Sequence, residues 1–98
     1  MREVITSRAV WDRIEALECF LVDELKLSEE AALGRSLRMR KFIASLCNEA
    51  DYPLCRFKQW QMLGYRCAVF EKSWVFAYEI VPEGVIVRDM SHTATLVE

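Results

Sequence analysis

The order of apolar and polar positions predicts a helical first half. A short β-prone segment, 2–5, precedes Thr6 and Ser7, and either of these residues can cap a helix. Apolar residues then recur three or four positions apart, which predicts a helix ending near Leu27 with one buried face. The residues of that face are Val10, Ile14, Leu17, Leu21 and Leu25.

A second helix is predicted to begin at Ser28. Its hydroxyl can cap the helix, and Glu29 and Glu30 fall in the first turn, where the helix dipole favours acids. The predicted buried face repeats at alternating spacings of four and three and consists of Ala32, Ser36, Met39, Ile43, Leu46 and Ala50, widened by Phe42 and Cys47. Two amphipathic helices joined by a turn predict an antiparallel hairpin that must pack on another layer.

The second half supplies that layer as strands. Three runs rich in β-branched and aromatic residues, 65–71, 74–81 and 85–92, are joined by very short connections, one containing Pro82 and Gly84. They predict a three-stranded antiparallel meander, which 51–64 joins to the helices. The expected fold is a single α+β domain over 1–98, with an N-terminal strand, an antiparallel helical hairpin and the meander.

Strand alternation assigns the side chains to faces. In the last run Ile86, Arg88, Met90 and His92 are expected on one side, opposite Val85, Val87 and Asp89. In the middle run the side with Trp74, Phe76, Tyr78 and Ile80 opposes the side with Val75, Ala77 and Glu79. Both sides of the middle run hold large apolar residues, so alternation leaves open which one faces the helices.

Composition narrows the function classes. The formal net charge of −2 and the pI of about 5.5 argue against a protein that binds nucleic acid by bulk charge. The segment 35–66 is locally basic, which predicts an anion site or a solvated helix face. No apolar run approaches the roughly 18–20 residues that span a bilayer, and Glu3 follows Arg2 where a signal peptide is basic, so a cytoplasmic protein is expected.

The four cysteines contain no Cys-x-x-Cys pair and accompany a single histidine, so no zinc site is expected. Cys19, Cys47 and Cys67 stand in apolar surroundings in the sequence. They are expected to be small core residues in a reducing compartment.

Particular residues within this element order resemble the RelE/ParE superfamily of bacterial type II toxins. The shared features are Ala9-Val10-Trp11-Asp12 at the first helix, Tyr52-Pro53 after the second, Gly64-Tyr65-Arg66 at a strand start, the aromatic-rich 76–80, and a closing strand that ends in His92. The resemblance covers nearly the whole chain. It implies a toxin held inactive by a cognate antitoxin, with either the ribosome and its mRNA or DNA gyrase as target, and with no metal, cofactor or membrane.

Metal-independent RNA cleavage needs a base, an acid and cations around one phosphate. Arg66 and Arg88 are candidates to bind the phosphate, and His92 is the candidate acid or base. Glu49 resembles the position of a catalytic glutamate in YoeB-like members. Further RNA contacts are expected from the basic residues Arg38, Lys41, Arg56 and Lys58.

Other interpretations of these residues stay open. Arg66 could pair with Glu79 or Asp89 across strands, and Glu49 could be a helix-end acid. Trp60 and Tyr78 could stack on bases or pack in the core. After His92 the chain lacks the terminal tyrosine of RelE-like and YoeB-like nucleases, and the acidic pI is low for an RNA-binding site. The alternatives to a nuclease are a non-catalytic ParE-like inhibitor of gyrase and a degenerate member that only binds antitoxin.

Overall fold

Two helices cover one face of a four-stranded sheet in the computed structural model, which describes residues 3–24, 26–48 and 50–96. The elements in chain order are β1 (Glu3–Thr6), α1 (Arg8–Asp23), α2 (Glu29–Ser45), α3 (Lys58–Gln61), β2 (Arg66–Phe70), β3 (Trp74–Val81), β4 (Gly84–His92) and a 3-10 turn (Thr93–Thr95). The α+β class, the N-terminal strand and the two long helices are confirmed. Arg2 and Leu25 of the predicted elements lie outside the described residues.

Both long helices begin where their capping residues predict. Ser7 precedes α1, and Ser28 accepts a hydrogen bond from the amide of Ala31 at 3.1 Å at the start of α2. The first helix ends at Asp23, earlier than predicted. The chain turns there because Lys26 adopts a positive φ of 57° and the amide of Leu27 donates back to the Leu21 carbonyl at 3.0 Å.

The sheet has the strand order β1-β4-β3-β2. Strands β2, β3 and β4 form the predicted antiparallel meander, and β1 pairs in parallel with β4, so the four-stranded sheet is mixed. Gly84 sits opposite Glu3 at a φ of 153°, and a Cβ there would lie 2.1 Å from the Glu3 carbonyl oxygen. Only glycine allows this close parallel pairing.

The main core lies between the helices and the sheet. The buried face predicted for the second helix is confirmed. All six of its residues, four in α2 and two just after it, are buried: Ala32, Ser36, Met39, Ile43, Leu46 and Ala50. On the sheet this core receives Phe76, Tyr78, Val85, Val87 and Met90, all 1% exposed or less. Alternation could not select the core side of β3, and the structure assigns it to the side of Phe76 and Tyr78.

The second face of the sheet, opposite the helices, is also covered. The connection 51–64 crosses it, and α3 places Trp60 against the sheet at 2% exposure. A second apolar cluster results, containing Cys55, Trp60, Cys67, Val75 and Ala77. Its physical cause is the composition of β3: apolar residues on both sides of the strand require cover on both faces.

A β-bulge in β4 corrects the predicted faces of that strand. Tyr78 is opposite Val87 while Ala77 is opposite Asp89, so Arg88 is the extra residue. One added residue inverts the alternation after it. Val85, Val87 and Met90 therefore share the helix side, and Arg88 does not share a face with Met90 and His92 as predicted.

The prediction of reduced core cysteines is correct only in part, because Cys67 is buried but is joined in a disulfide and Cys19 is free but lies on the surface. Cys55 and Cys67 form a disulfide with a Cα–Cα distance of 5.0 Å, Cys19 is exposed and Cys47 is half-buried. Cys19 lies on the outer side of α1, because the core-facing positions of that helix are Val10, Ile14 and Leu21. Among the described residues, no helix combines the length and apolar character needed to cross a membrane.

Candidate functional site

Arg66, the first residue of β2, faces the helical side of the sheet. Its partner across the antiparallel ladder is Tyr78, and directly opposed residues share a face. The guanidinium Nη1 donates to the main-chain carbonyl of Tyr52 at 2.6 Å. Arg66 therefore fastens the chain leaving α2, and this contact is made instead of the cross-strand pairs with Glu79 or Asp89 that the sequence also allowed.

Tyr78 binds the same segment, the chain after α2, from inside the core. Its hydroxyl donates to the carbonyl of Ala50 and accepts a hydrogen bond from the amide of Tyr52 at 3.2 Å. The side chain is fully buried, and this burial raises the pKa of the Tyr78 hydroxyl. The ring is packed, which is one of the two roles that the sequence left open for it, and it has no free face for a base.

Arg88 lies on the other face of the sheet. As the bulged residue of β4, it directs its guanidinium to Glu79, whose neighbour Tyr78 faces the helices. Its Nη2 donates to Glu79 Oε1 at 2.7 Å, and this hydrogen bond raises the pKa of Arg88. The pair is partly exposed, with side-chain exposures of 43% and 30%.

His92 ends β4 opposite Trp74, and the two rings meet edge to face with centroids 5.1 Å apart. Its Nδ1 accepts a hydrogen bond from the amide of Ala94 at 3.1 Å, which caps the following 3-10 turn. In this arrangement any ring proton is carried by Nε2. The imidazole of His92 therefore serves as the N-cap of the 3-10 turn.

The structure does not bring Arg66, Arg88 and His92 together. Arg66 and His92 are opposite Tyr78 and Trp74, four positions apart on β3, which corresponds to about 13 Å along a strand. The fully buried Phe76 lies between those positions, and Arg88 is on the other face. The predicted pocket of two guanidinium groups and an imidazole is therefore absent from the described residues, because the bulge and the strand length separate its members.

The remaining predicted site residues are also dispersed. Arg38 of α2 pairs with Glu71 after β2 at 2.7 Å, and its hydrogen bond lowers the pKa of that carboxyl. Lys41 is exposed on α2, while Arg56 and Lys58 are exposed on the connection that covers the second face. Glu49 lies outside the described residues.

A carboxylate network that the sequence did not reveal links three elements. Asp89 of β4 accepts a hydrogen bond from the Trp60 indole nitrogen at 3.1 Å through one oxygen and from Arg13 of α1 through the other. Arg13 also donates to the carbonyl of Met90, so it caps the part of β4 beyond the end of β1. The tryptophan within a polar connection was the available signal, and it indicated burial without identifying the partner.

The disulfide and the backbone hold the connection against the start of β2. The amide of Cys55 donates to the Tyr65 carbonyl at 2.8 Å, and the amide of Cys67 donates to the Pro53 carbonyl at 3.1 Å. Because the Cys67 amide points away from β3, ladder alternation directs the amide of Val69 outward as well. Within the described part of the chain, no strand pairs with β2 at this outer position.

An apolar depression of about 340 Å³ lies beside this open edge. Its walls are formed by Pro53, Leu54, Arg56, Phe57, Cys67 and Val69, and we call it the β2-edge surface. Leu54 is 62% exposed and Val69 is 51% exposed. Exposed apolar side chains that adjoin an unpaired strand edge are typical of a protein-binding surface.

Two further exposed apolar residues, Met62 and Leu63, follow α3 with exposures of 95% and 59%. No group of three or more His, Cys, Asp or Glu residues in the described ranges could hold a metal ion.

The chain matches no protein-family model, and no curated protein is significantly similar to it in sequence. The RelE/ParE resemblance therefore remains a prediction.

Proposed function

We propose that this chain is a RelE/ParE-like toxin domain that acts by binding proteins and not by cleaving RNA. Its partner would be a cognate antitoxin, and its target a protein, for which the resemblance implies DNA gyrase. The observation that carries this proposal is the β2-edge surface, where an apolar depression adjoins the part of the β2 edge at Val69, with which no described strand pairs.

The chemistry of such an edge suits an extended peptide. A segment added alongside β2 gains main-chain hydrogen bonds to the outward-facing groups of Val69, and its alternate side chains reach the depression. The lining by Pro53, Leu54 and Phe57 favours an aliphatic or aromatic side chain there.

The dispersal of the predicted catalytic residues supports binding over catalysis. RNA cleavage requires a cation and a proton-transferring group within reach of one phosphate. Arg88 and His92 are on different faces of the sheet, and Arg66 is about 13 Å from His92 along the strands. Each of the three also has a hydrogen-bond partner within the fold. Arg66 bonds to Tyr52, Arg88 to Glu79 and His92 to Ala94.

Inducible expression of variants in bacteria tests the proposal. Val69→Pro removes the outward amide at an edge position, where proline is tolerated, and Val69→Thr is the matched control that keeps this amide. We expect Val69→Pro to lose both growth arrest and co-purification of the small protein encoded beside the toxin. We expect Val69→Thr, Arg88→Ala and His92→Ala to keep both.

The target is identified by whether plasmid supercoiling or protein synthesis fails first after induction. Early loss of supercoiling is the expected result. The proposal is wrong if His92→Ala or Arg88→Ala abolishes growth arrest in a folded protein while Val69→Pro does not. It is also wrong if the wild-type chain neither arrests growth nor retains a partner.

A further inference from the structure

The outer face of α2 carries two exposed leucines that make no part of either core. Leu33 is 49% exposed and Leu37 is 57% exposed, one turn apart on the same side of the helix. The buried residues of α2 are Ala32, Ser36, Met39 and Ile43, so these leucines face away from the sheet. None of the residues that line the β2-edge surface belongs to α2.

Charged residues flank the leucines symmetrically about Arg35. Leu33 and Leu37 are each two residues from this centre, Glu30 and Arg40 are each five residues from it, and Glu29 and Lys41 are each six residues from it. All four charged residues are exposed, and the guanidinium of Arg40 also lies over the ring of Trp11 in α1, 4.8 Å from the ring centroid. The outer face of α2 is therefore acidic at one end, apolar in the middle and basic at the other end.

These opposite charges cannot neutralise each other within one helix. Glu30 and Arg40 are ten residues apart, which is about 15 Å along the axis, whereas helical ion pairs form at spacings of three or four. The helix dipole accounts for acids in the first turn. It does not account for two exposed leucines between the acidic and basic ends.

A second copy of the same helix, running antiparallel, matches this pattern. A two-fold axis that crosses the leucine side of the helix at the level of residue 35 would set Leu33 of one copy against Leu37 of the other. The same axis would set the Glu29–Glu30 pair of each copy against the Arg40–Lys41 pair of the other. An isologous contact requires a surface that is complementary to itself under such a rotation. We propose that this chain forms a homodimer through the outer faces of its α2 helices.

The dimer should be reversible and sensitive to salt. One helix face on each side buries less than the roughly 1,200 Å² of a standard stable interface, so we expect association at micromolar concentrations or higher. The ion pairs lie at the exposed ends of the contact, where salt screens them. The inference is independent of the proposed function, because it concerns a different surface.

Analytical ultracentrifugation of the full chain with reversed charges tests the dimer. The variant Glu29→Lys/Glu30→Lys makes both ends of the face basic, and Arg40→Glu/Lys41→Glu makes both ends acidic. Each alone should dimerise at least about tenfold more weakly than the wild type. Mixed together they should form a heterodimer, and combining all four changes in one chain should restore the homodimer.

Two further variants test whether the charges and the leucines of α2, and not net charge in general, cause dimerisation. Glu3→Lys/Glu83→Lys makes the same change in net charge at exposed positions outside α2 and should leave dimerisation unchanged. Leu37→Glu should abolish dimerisation while circular dichroism shows an intact fold. A wild-type chain that stays monomeric near millimolar concentration overturns the proposal, as does a mixture of the two reversed-charge variants that stays monomeric.

Discussion

Reducing the disulfide between Cys55 and Cys67 should lower the free energy of unfolding by about 3 kcal/mol. The two cysteines are 12 positions apart, and the bond closes that loop in the unfolded chain as well as in the folded one. The stabilisation comes mainly from restricting the unfolded ensemble. A domain of this size has a total stability of about 5–15 kcal/mol, so the loss is a large fraction of it.

The fold should nevertheless survive reduction. The connection keeps its hydrogen bonds from Cys55 to Tyr65 and from Cys67 to Pro53, at 2.8 and 3.1 Å. It also keeps Trp60, which is buried in the second cluster and bonded to Asp89 at 3.1 Å. We therefore expect one cooperative transition in both redox states, with a melting temperature about 10–20 °C lower after reduction.

Urea denaturation of oxidised and reduced protein, followed by circular dichroism, measures the difference directly. Peptide mapping of the oxidised sample first establishes that the bond joins Cys55 and Cys67. A Cys19→Ser variant is the control, because Cys19 is exposed and unpaired with another cysteine, and its substitution should leave both curves unchanged. A change of less than about 0.5 kcal/mol in the unfolding free energy on reduction, or a bond mapped to other cysteines, would contradict this prediction.

Three other changes test the packing around the candidate site. Tyr78→Phe should lower the free energy of unfolding by about 1–3 kcal/mol in chemical denaturation, because the Ala50 carbonyl and the Tyr52 amide lose the hydroxyl that they share. Burial raises the pKa of Tyr78 above its value in the unfolded chain, so the contribution of its hydroxyl to stability is complete below about pH 10. That contribution is lost as the pH rises through the pKa of the folded state. Raising the pH should therefore destabilise the wild type more than Tyr78→Phe. Trp60→Phe should cost about 1–3 kcal/mol by removing the bond to Asp89, and an unchanged midpoint would contradict the network. Arg88→Ala should leave the urea midpoint unchanged within error, because its pair with Glu79 is partly exposed; a marked loss would show that this pair is structural.

Local signals in the sequence identified the two long helices and the strands, but they did not predict α3 within the connection 51–64. Ser28 and the acids after it placed the start of α2, because a cap acts on the backbone of its own helix turn. The helical spacing of apolar residues identified the buried face of α2 completely. The alternating strands and the short turns identified β3 with its observed bounds, because strand pairing across a short turn is nearly local.

The candidate site depended on contacts between distant parts of the chain. A single bulge at Arg88 moved that residue to the opposite face from His92, and nothing in the alternating pattern marks where an extra residue enters a ladder. The disulfide, the bond from Trp60 to Asp89 and the parallel addition of β1 likewise join residues far apart in sequence. Hydrophobic periodicity determined which segments of this protein form helices and strands. Only tertiary packing decided which side chains meet, because each such meeting depends on the register and path of every intervening element.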